Sequence, residues 1–227
     1  MPYSVLFALI LLAPAYAAPQ THSVVQTVPK PVSQTASKEE TKKVLVVFGD
    51  SLSAGYGLQP GQSYPDDLQR KLDAQGYPWR VVNLGISGDT TMGGVARINT
   101  GTSLKPSLVL LELGGNDGLR GLPLGMTREN LEQMIVAFQR IGARVVLAGM
   151  TLPPNYGPDY VSAFQKIYTD LAAKYKLTLV PFLLSDIVTK DLRYFQRDGI
   201  HPTADGAQIV ADTVLRTLKP LLGTAKN

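Results

Sequence analysis

The sequence predicts a single three-layer α/β/α domain on a five-stranded parallel sheet, covering residues 44–221. Two observations carry that expectation. Five short apolar runs recur along the stretch, at residues 44–48, 80–84, 108–113, 144–148 and 177–182, and near-continuous apolar strands belong to sheets covered on both faces. The segments between the runs are long enough to be helical crossovers, as parallel pairing requires.

Taken in order, the run "VLVVF" is β-branched and aromatic and stops at the turn Gly49-Asp50-Ser51. The second run passes into "NLGISGDT", residues 83–90, and the third into "LGGND", residues 113–117. Leu131, Met134, Ile135, Phe138 and Ile141 then recur at helical spacing, with Gly142 where a C-cap belongs. After the fourth run, Tyr160, Phe164, Ile167, Tyr168, Leu171 and Tyr175 form a second helical face. The fifth run leads into a long connection, residues 183–199, and then "DGIHPTADG", residues 198–206, where Pro202 stands at a plausible first helical position. Connections of that length are more often functional than idle.

The residues before this domain are of another kind. "VLFALILLA", residues 5–13, has the length of a signal-peptide apolar region (~7–15 residues) and is too short for a spanning helix of ~20. Ala15-Tyr16-Ala17 follows as a cleavage pattern, so residues 1–17 read as an export signal, with an uncleaved anchor as the alternative because no Lys or Arg precedes the apolar run. Residues 18–43 are rich in Pro, Thr, Ser, Gln and Lys and lack apolar periodicity, which describes a disordered tether. Residues 222–227 are expected to be a short C-terminal tail. The localisation that follows is periplasmic or secreted, with no membrane span left after cleavage.

Charge and composition exclude several function classes. The chain has 227 residues, 44% hydrophobic and 18% charged, with a formal net charge of +4. Lys30, Lys38, Lys42 and Lys43 against Glu39 and Glu40 place half of that charge in the tether, leaving 18 basic and 16 acidic side chains from Val44 onward. A near-neutral domain without a Lys/Arg stripe does not suit nucleic acid. Cysteine is absent, so there is no disulfide, thiolate nucleophile, Cys metal site or Cys-linked lipid. No metal and no cofactor are expected, and the domain is expected to be a monomer.

Ligands of open α/β sheets bind beyond the carboxyl ends of the strands, which is where the unusual residues fall. Singly each has a structural explanation: Ser51 as a helix cap, Gly88 and Asn116 as turn formers, Asp198-Gly199 as a turn. The histidine count sharpens the reading. Of two histidines, His22 lies in the tether, so His201 is the domain's one imidazole, three residues after Asp198. A serine nucleophile needs a base that titrates near neutrality and a carboxylate that fixes the base's tautomer. Ser51, His201 and Asp198 supply that set, while the Ser51 and Gly88 N–H groups and the Asn116 amide supply oxyanion donors.

Four ordered blocks, "FGDSLSAGYG", "NLGISGDTT", "LELGGNDGLRGLP" and "RDGIHPTADG", resemble the GDSL, or SGNH, hydrolases, most closely the secreted bacterial branch of thioesterase I, lysophospholipases and arylesterases. The resemblance covers essentially all of residues 44–221. It implies a flavodoxin-like fold and a serine esterase acting on carboxylic esters and thioesters through an acyl-enzyme at Ser51. His201 would be the base, oriented by Asp198, and Ser51, Gly88 and Asn116 the oxyanion donors. The G-x-S-x-G pattern of α/β-hydrolases is absent around Ser51.

The substrate expected is a small-molecule or lipid ester. Residues 118–126 and 151–158 are Gly/Pro-rich loops bearing Leu, Met and Tyr, which suits either an acyl groove or ordinary loop packing, and Arg120 suits either an anionic head group or solvent. Three other functions stay open at this level. A carbohydrate O-deacetylase would use the same triad, a non-catalytic ligand-binding module would need none of it, and a metal-dependent phosphatase would draw on Asp50, Asp89, Asp117 and Asp198.

Overall fold

The computed structural model describes residues 42–225. The signal and tether readings therefore lie outside the described residues, apart from Lys42 and Lys43, and so do the last two residues of the tail. Five strands form one all-parallel sheet: β1 (Lys43–Gly49), β2 (Trp79–Asn83), β3 (Leu108–Glu112), β4 (Arg144–Ala148) and β5 (Thr178–Val180), in the order β2-β1-β3-β4-β5. β1 is an interior strand, with Val46 in register with Val82 on one side and Val109 on the other. Its residues from Val46 to Gly49 are buried, which is why this stretch is an apolar run rather than an alternating one.

One face of the sheet is covered by α2 (Tyr64–Ala74) and α9 (Ala204–Leu222), the other by α6 (Leu124–Arg140) and α7 (Pro158–Tyr175). Leu131, Met134, Ile135 and Phe138 of α6 are fully buried, and Phe138 meets Phe48 of β1 edge-on at 5.4 Å. Truncating such an aromatic costs about 3–5 kcal/mol. Phe164, Ile167, Tyr168 and Leu171 do the same for α7. The shorter helices α1 (Ser51–Ala54), α3 (Thr91–Ala96), α4 (Ile98–Thr102), α5 (Gly115–Leu119) and α8 (Ser185–Val188) sit in the connections.

Four boundaries differ from the expectation. The fifth strand is only Thr178–Val180, because Pro181 has no N–H to continue the ladder and β5 is an edge strand. Ile141 is 42% exposed: α6 ends at Arg140, and the chain turns away from the core before the last apolar position can use it. Pro202 is not the first helical residue, since Thr203 is the N-cap of α9 and its hydroxyl accepts the Gly206 N–H. Leu222, placed in the tail, is buried and closes α9.

The order β2-β1-β3 makes the chain leave β1 toward one edge and return on the other side. That is the topological switch point, where the loops diverge and leave a crevice. Ser51 follows β1, Gly88 follows β2 and Asn116 follows β3.

Candidate active site

Ser51 is the first residue of α1, a single turn capped by Asp50, whose Oδ1 accepts the Leu52 N–H at 3.0 Å. The Ser51 Oγ lies 2.8 Å from His201 Nε2, and His201 Nδ1 lies 2.7 Å from Asp198 Oδ2. Asp198 Oδ1 accepts the backbone N–H groups of Ile200 at 2.9 Å and His201 at 3.0 Å. One carboxylate thus shapes the loop and holds the ring. Burial alone would raise the Asp198 pKa, but the His201 ring bond and these two N–H bonds hold it below the usual carboxylate value.

The imidazole is fixed further from two sides. Tyr56 lies against it with ring centroids 4.6 Å apart. The Gln196 N–H donates to the His201 carbonyl at 2.8 Å, and the Gln196 side-chain amide donates to the carbonyls of Tyr56 at 2.7 Å and Pro202 at 2.9 Å.

Ser51, Gly88, Asn116 and His201 line one cleft of about 420 Å³ together with Asp50, Tyr56 and Ile200; Asp198 stands behind the ring. Gly88 has φ +80°, a conformation that side-chain-bearing residues rarely adopt. Among the described residues, neither the Ser51 N–H nor the Gly88 N–H donates to another protein group. The Asn116 amide differs: its Nδ2 donates to the Asp89 carbonyl at 2.9 Å and to Asp50 Oδ2 at 3.2 Å. To serve an oxyanion it must share the longer of these bonds.

Several residues that hold this geometry were not singled out as catalytic or binding candidates in the sequence. Arg97 binds Asp89 Oδ2 at 2.7 Å and donates to the carbonyls of Leu84 at 2.8 Å and Gly49 at 2.9 Å, with its guanidinium 3.9 Å from the Phe48 ring centre. It ties the ends of β1 and β2 to the Gly88 loop. Arg120, which the sequence offered to an anionic head group or to solvent, is exposed, and its Nη2 donates to the Gly88 carbonyl at 2.9 Å. Glu112, the charged residue inside the third apolar run, is fully buried beneath Asp50.

The four aspartates of the phosphatase reading are committed to different partners. Asp50 caps α1, Asp89 pairs with Arg97, Asp117 accepts the Thr91 N–H at 2.9 Å, and Asp198 holds His201.

A second cleft of about 250 Å³ continues from the first, sharing Leu52, Gly115, Leu119 and Ile200. Its walls are apolar: Met150, Leu152, Pro153, Pro154, Phe182, Leu184, Val188 and Phe195. Residues 151–154 come from one of the two loops expected to line a groove. Of the other, residues 118–126, only Leu119 does, because α6 begins at Leu124 and Met126 is half-exposed on it. The opposite wall comes from the long connection after β5, whose Val188 and Phe195 were not foreseen as lining residues.

Residues 47–209 match the GDSL-like lipase/acylhydrolase family. The chain belongs to this family. It is 44% identical over 187 residues to the esterase TesA of Pseudomonas aeruginosa, covering 82% of this chain and 92% of that one. It is 38% identical over 179 residues to the thioesterase 1/protease 1/lysophospholipase L1 of Escherichia coli K12, covering 78% and 84%. The crystal structure of TesA superposes with a TM-score of 0.76 at 46% identity, covering 79% of this chain and 100% of that one. The chain is accordingly a serine hydrolase of ester bonds on the SGNH-hydrolase fold. No described helix is long and apolar enough to cross a membrane.

Proposed function

We propose that Ser51, His201 and Asp198 are the catalytic triad of this hydrolase. In this reading Ser51 Oγ attacks the ester or thioester carbonyl carbon while its proton passes to His201 Nε2. Asp198 keeps the Nδ1–H tautomer and stabilises the imidazolium. The N–H groups of Ser51 and Gly88 and the Asn116 amide receive the oxyanion, which then collapses, expelling the alcohol or thiol with the proton from His201. Water repeats the sequence on the acyl-enzyme and releases the acid. The carrying observation is the Ser51 to His201 to Asp198 chain at 2.8 and 2.7 Å.

The substrates proposed are esters and thioesters of apolar acyl chains, including aryl esters and lysophospholipid-like lipids. The apolar cleft that opens from the triad supports this choice over acetylated sugar. Export to the periplasm or medium, and tethering by residues 18–43, rest on the sequence of residues 1–43.

The test is hydrolysis of p-nitrophenyl esters from acetyl to long acyl by the mature protein beside its Ser51→Ala variant. Turnover that is lost with Ser51 and rises with chain length is expected. Activity confined to acetyl esters and acetylated sugars would assign a carbohydrate deacetylase instead.

A further inference from the structure

Glu112 ends β3 in register with Gly49 of β1, and its carboxyl lies beneath the nucleophile turn. A Cβ on Gly49 would stand 2.3 Å from Glu112 Oε2 and 2.2 Å from Ser53 Oγ, so the glycine before Asp50-Ser51 makes room for this buried acid. Glu112 Oε2 accepts the Asp50 N–H at 3.2 Å and the Ser53 hydroxyl at 2.5 Å; Ser53 Oγ in turn is 2.8 Å from the Tyr64 hydroxyl. Glu112 Oε1 has no hydrogen-bond partner, the one buried side-chain polar atom so placed among the described residues. Directly above it the Asp50 carboxyl, 2% exposed, accepts the Leu52 N–H on Oδ1 and the Asn116 amide on Oδ2.

Two carboxyls buried against each other, neither of them paired with a Lys or Arg side chain among the described residues, do not both ionise. One proton belongs between them. Asp50 uses both oxygens to accept N–H bonds, whereas Glu112 has an oxygen that is unengaged, so the proton shared by the two side chains belongs on Glu112. We infer that Glu112 is a neutral, proton-donating positioning residue, which draws charge from the Asp50 carboxylate and so lets the Asn116 amide lend its N–H to the oxyanion. The inference rests on the proposed role of Asn116 and deepens it. Without the Glu112 proton, a fully charged Asp50 would keep the amide for itself and repel the developing oxyanion.

The titration behaviour agrees with the geometry. Burial, and then the Asp50 charge, push Glu112 well above the ordinary carboxyl value, while burial pushes Asp50 to about 6. The other titratable groups facing the pair are His201 toward Asp50, Tyr64 from α2 and Tyr168 from α7, and Arg97 reaches the Gly49 carbonyl rather than either carboxyl.

Three variants and one spectrum test the inference. Glu112→Leu is expected to lower kcat roughly 10- to 100-fold with KM little changed, as for impaired oxyanion donation. Glu112→Gln, whose amide donates where the acid did, is expected to restore kcat to within about 3-fold of the native enzyme. The infrared spectrum at pH 8 should show a protonated carboxylic acid band that Glu112→Gln removes. A Gln variant as impaired as Leu, or no such band, overturns the inference, and both readouts survive if the Leu variant fails to fold. Ser51→Ala in parallel separates the two levels: if it keeps full turnover the proposed triad fails, whereas the infrared band reports on Glu112 alone.

Discussion

The two halves of the proposed catalytic site are held in place by different means. Ser51, Gly88 and Asn116 project from the ends of three adjacent strands, and their supports run into the core: Glu112 under Asp50, Arg97 across Gly49, Leu84 and Asp89, Asp117 under Thr91. His201 and Asp198 lie on the connection before α9, where the side chain of Asp198 is 37% exposed and the supports are local, from Ile200, His201, Gln196 and Tyr56. The oxyanion half thus shares its interactions with folding, whereas the base half can be altered with little effect on the fold.

The largest expected effect joins the halves. Ser51→Ala or His201→Ala should each lower kcat on the order of 10⁴-fold, and the double variant no further, because the two act as one unit. Single-turnover assays on folded protein check this; near-normal rates in either variant would separate the halves. Asp198→Asn comes next, with a loss of up to about 10⁴-fold and only a small drop in the urea midpoint, since the Asn amide N–H donates to Nδ1 and leaves the ring proton on Nε2, while the partly exposed carboxylate adds little to the fold. An unchanged rate would mean that another acceptor holds the ring. Arg97→Met should show the opposite balance. Removing one partner of a nearly buried pair costs about 3 kcal/mol by urea denaturation, with a smaller loss of activity as the Gly88 loop loosens.

Stability against pH sharpens the comparison further. Asp50 has its pKa raised by burial to about 6, so its contribution to stability is full below the ordinary carboxyl range and is lost as pH rises through about 6. Asp198 is lowered, so its contribution is present above the ordinary range and is lost as pH falls through its folded value. Melting temperatures between pH 3 and 8 should therefore lose part of their alkaline decline in Asp50→Asn, with Glu112 carrying the rest, and part of their acid decline in Asp198→Asn. Matching profiles in the two variants would contradict the division. The smallest effect belongs to the groove. Val188→Asp should lower kcat/KM for octanoyl esters about 10-fold, the equivalent of two methylenes left in water, and leave acetyl esters within about 2-fold.

The sheet was legible because its strands are built around near-continuous apolar runs, and the proposed site because its residues stand at strand ends in four blocks. Where the reading stopped, local pattern had lost to context. The fifth run is apolar at most positions through Phe182, yet Pro181 ends its pairing and turns Phe182 into a wall of the apolar cleft. Ile141 keeps helical spacing beyond the point where the helix ends. Arg97 drew no reading, and Arg120 suited either a head group or solvent, since nothing in their neighbourhoods says that carbonyls await them. Glu112 did carry a signal: a lone carboxylate inside "LVLLEL" cannot lie in a buried strand without a partner or a proton. The cleft wall after β5 carried none, because α8 and the turn at residues 192–194 assemble it from residues spread over a long connection.

The central claim is that one serine at the end of β1 carries the acyl group. Treating the native protein with a fluorophosphonate, and mapping the adduct by peptide mass spectrometry, tests it directly. A single phosphonyl group on Ser51, formed with loss of all esterase activity and slowed in His201→Ala, is the predicted result. An adduct on another residue, or full inactivation with Ser51 unmodified, would contradict the account.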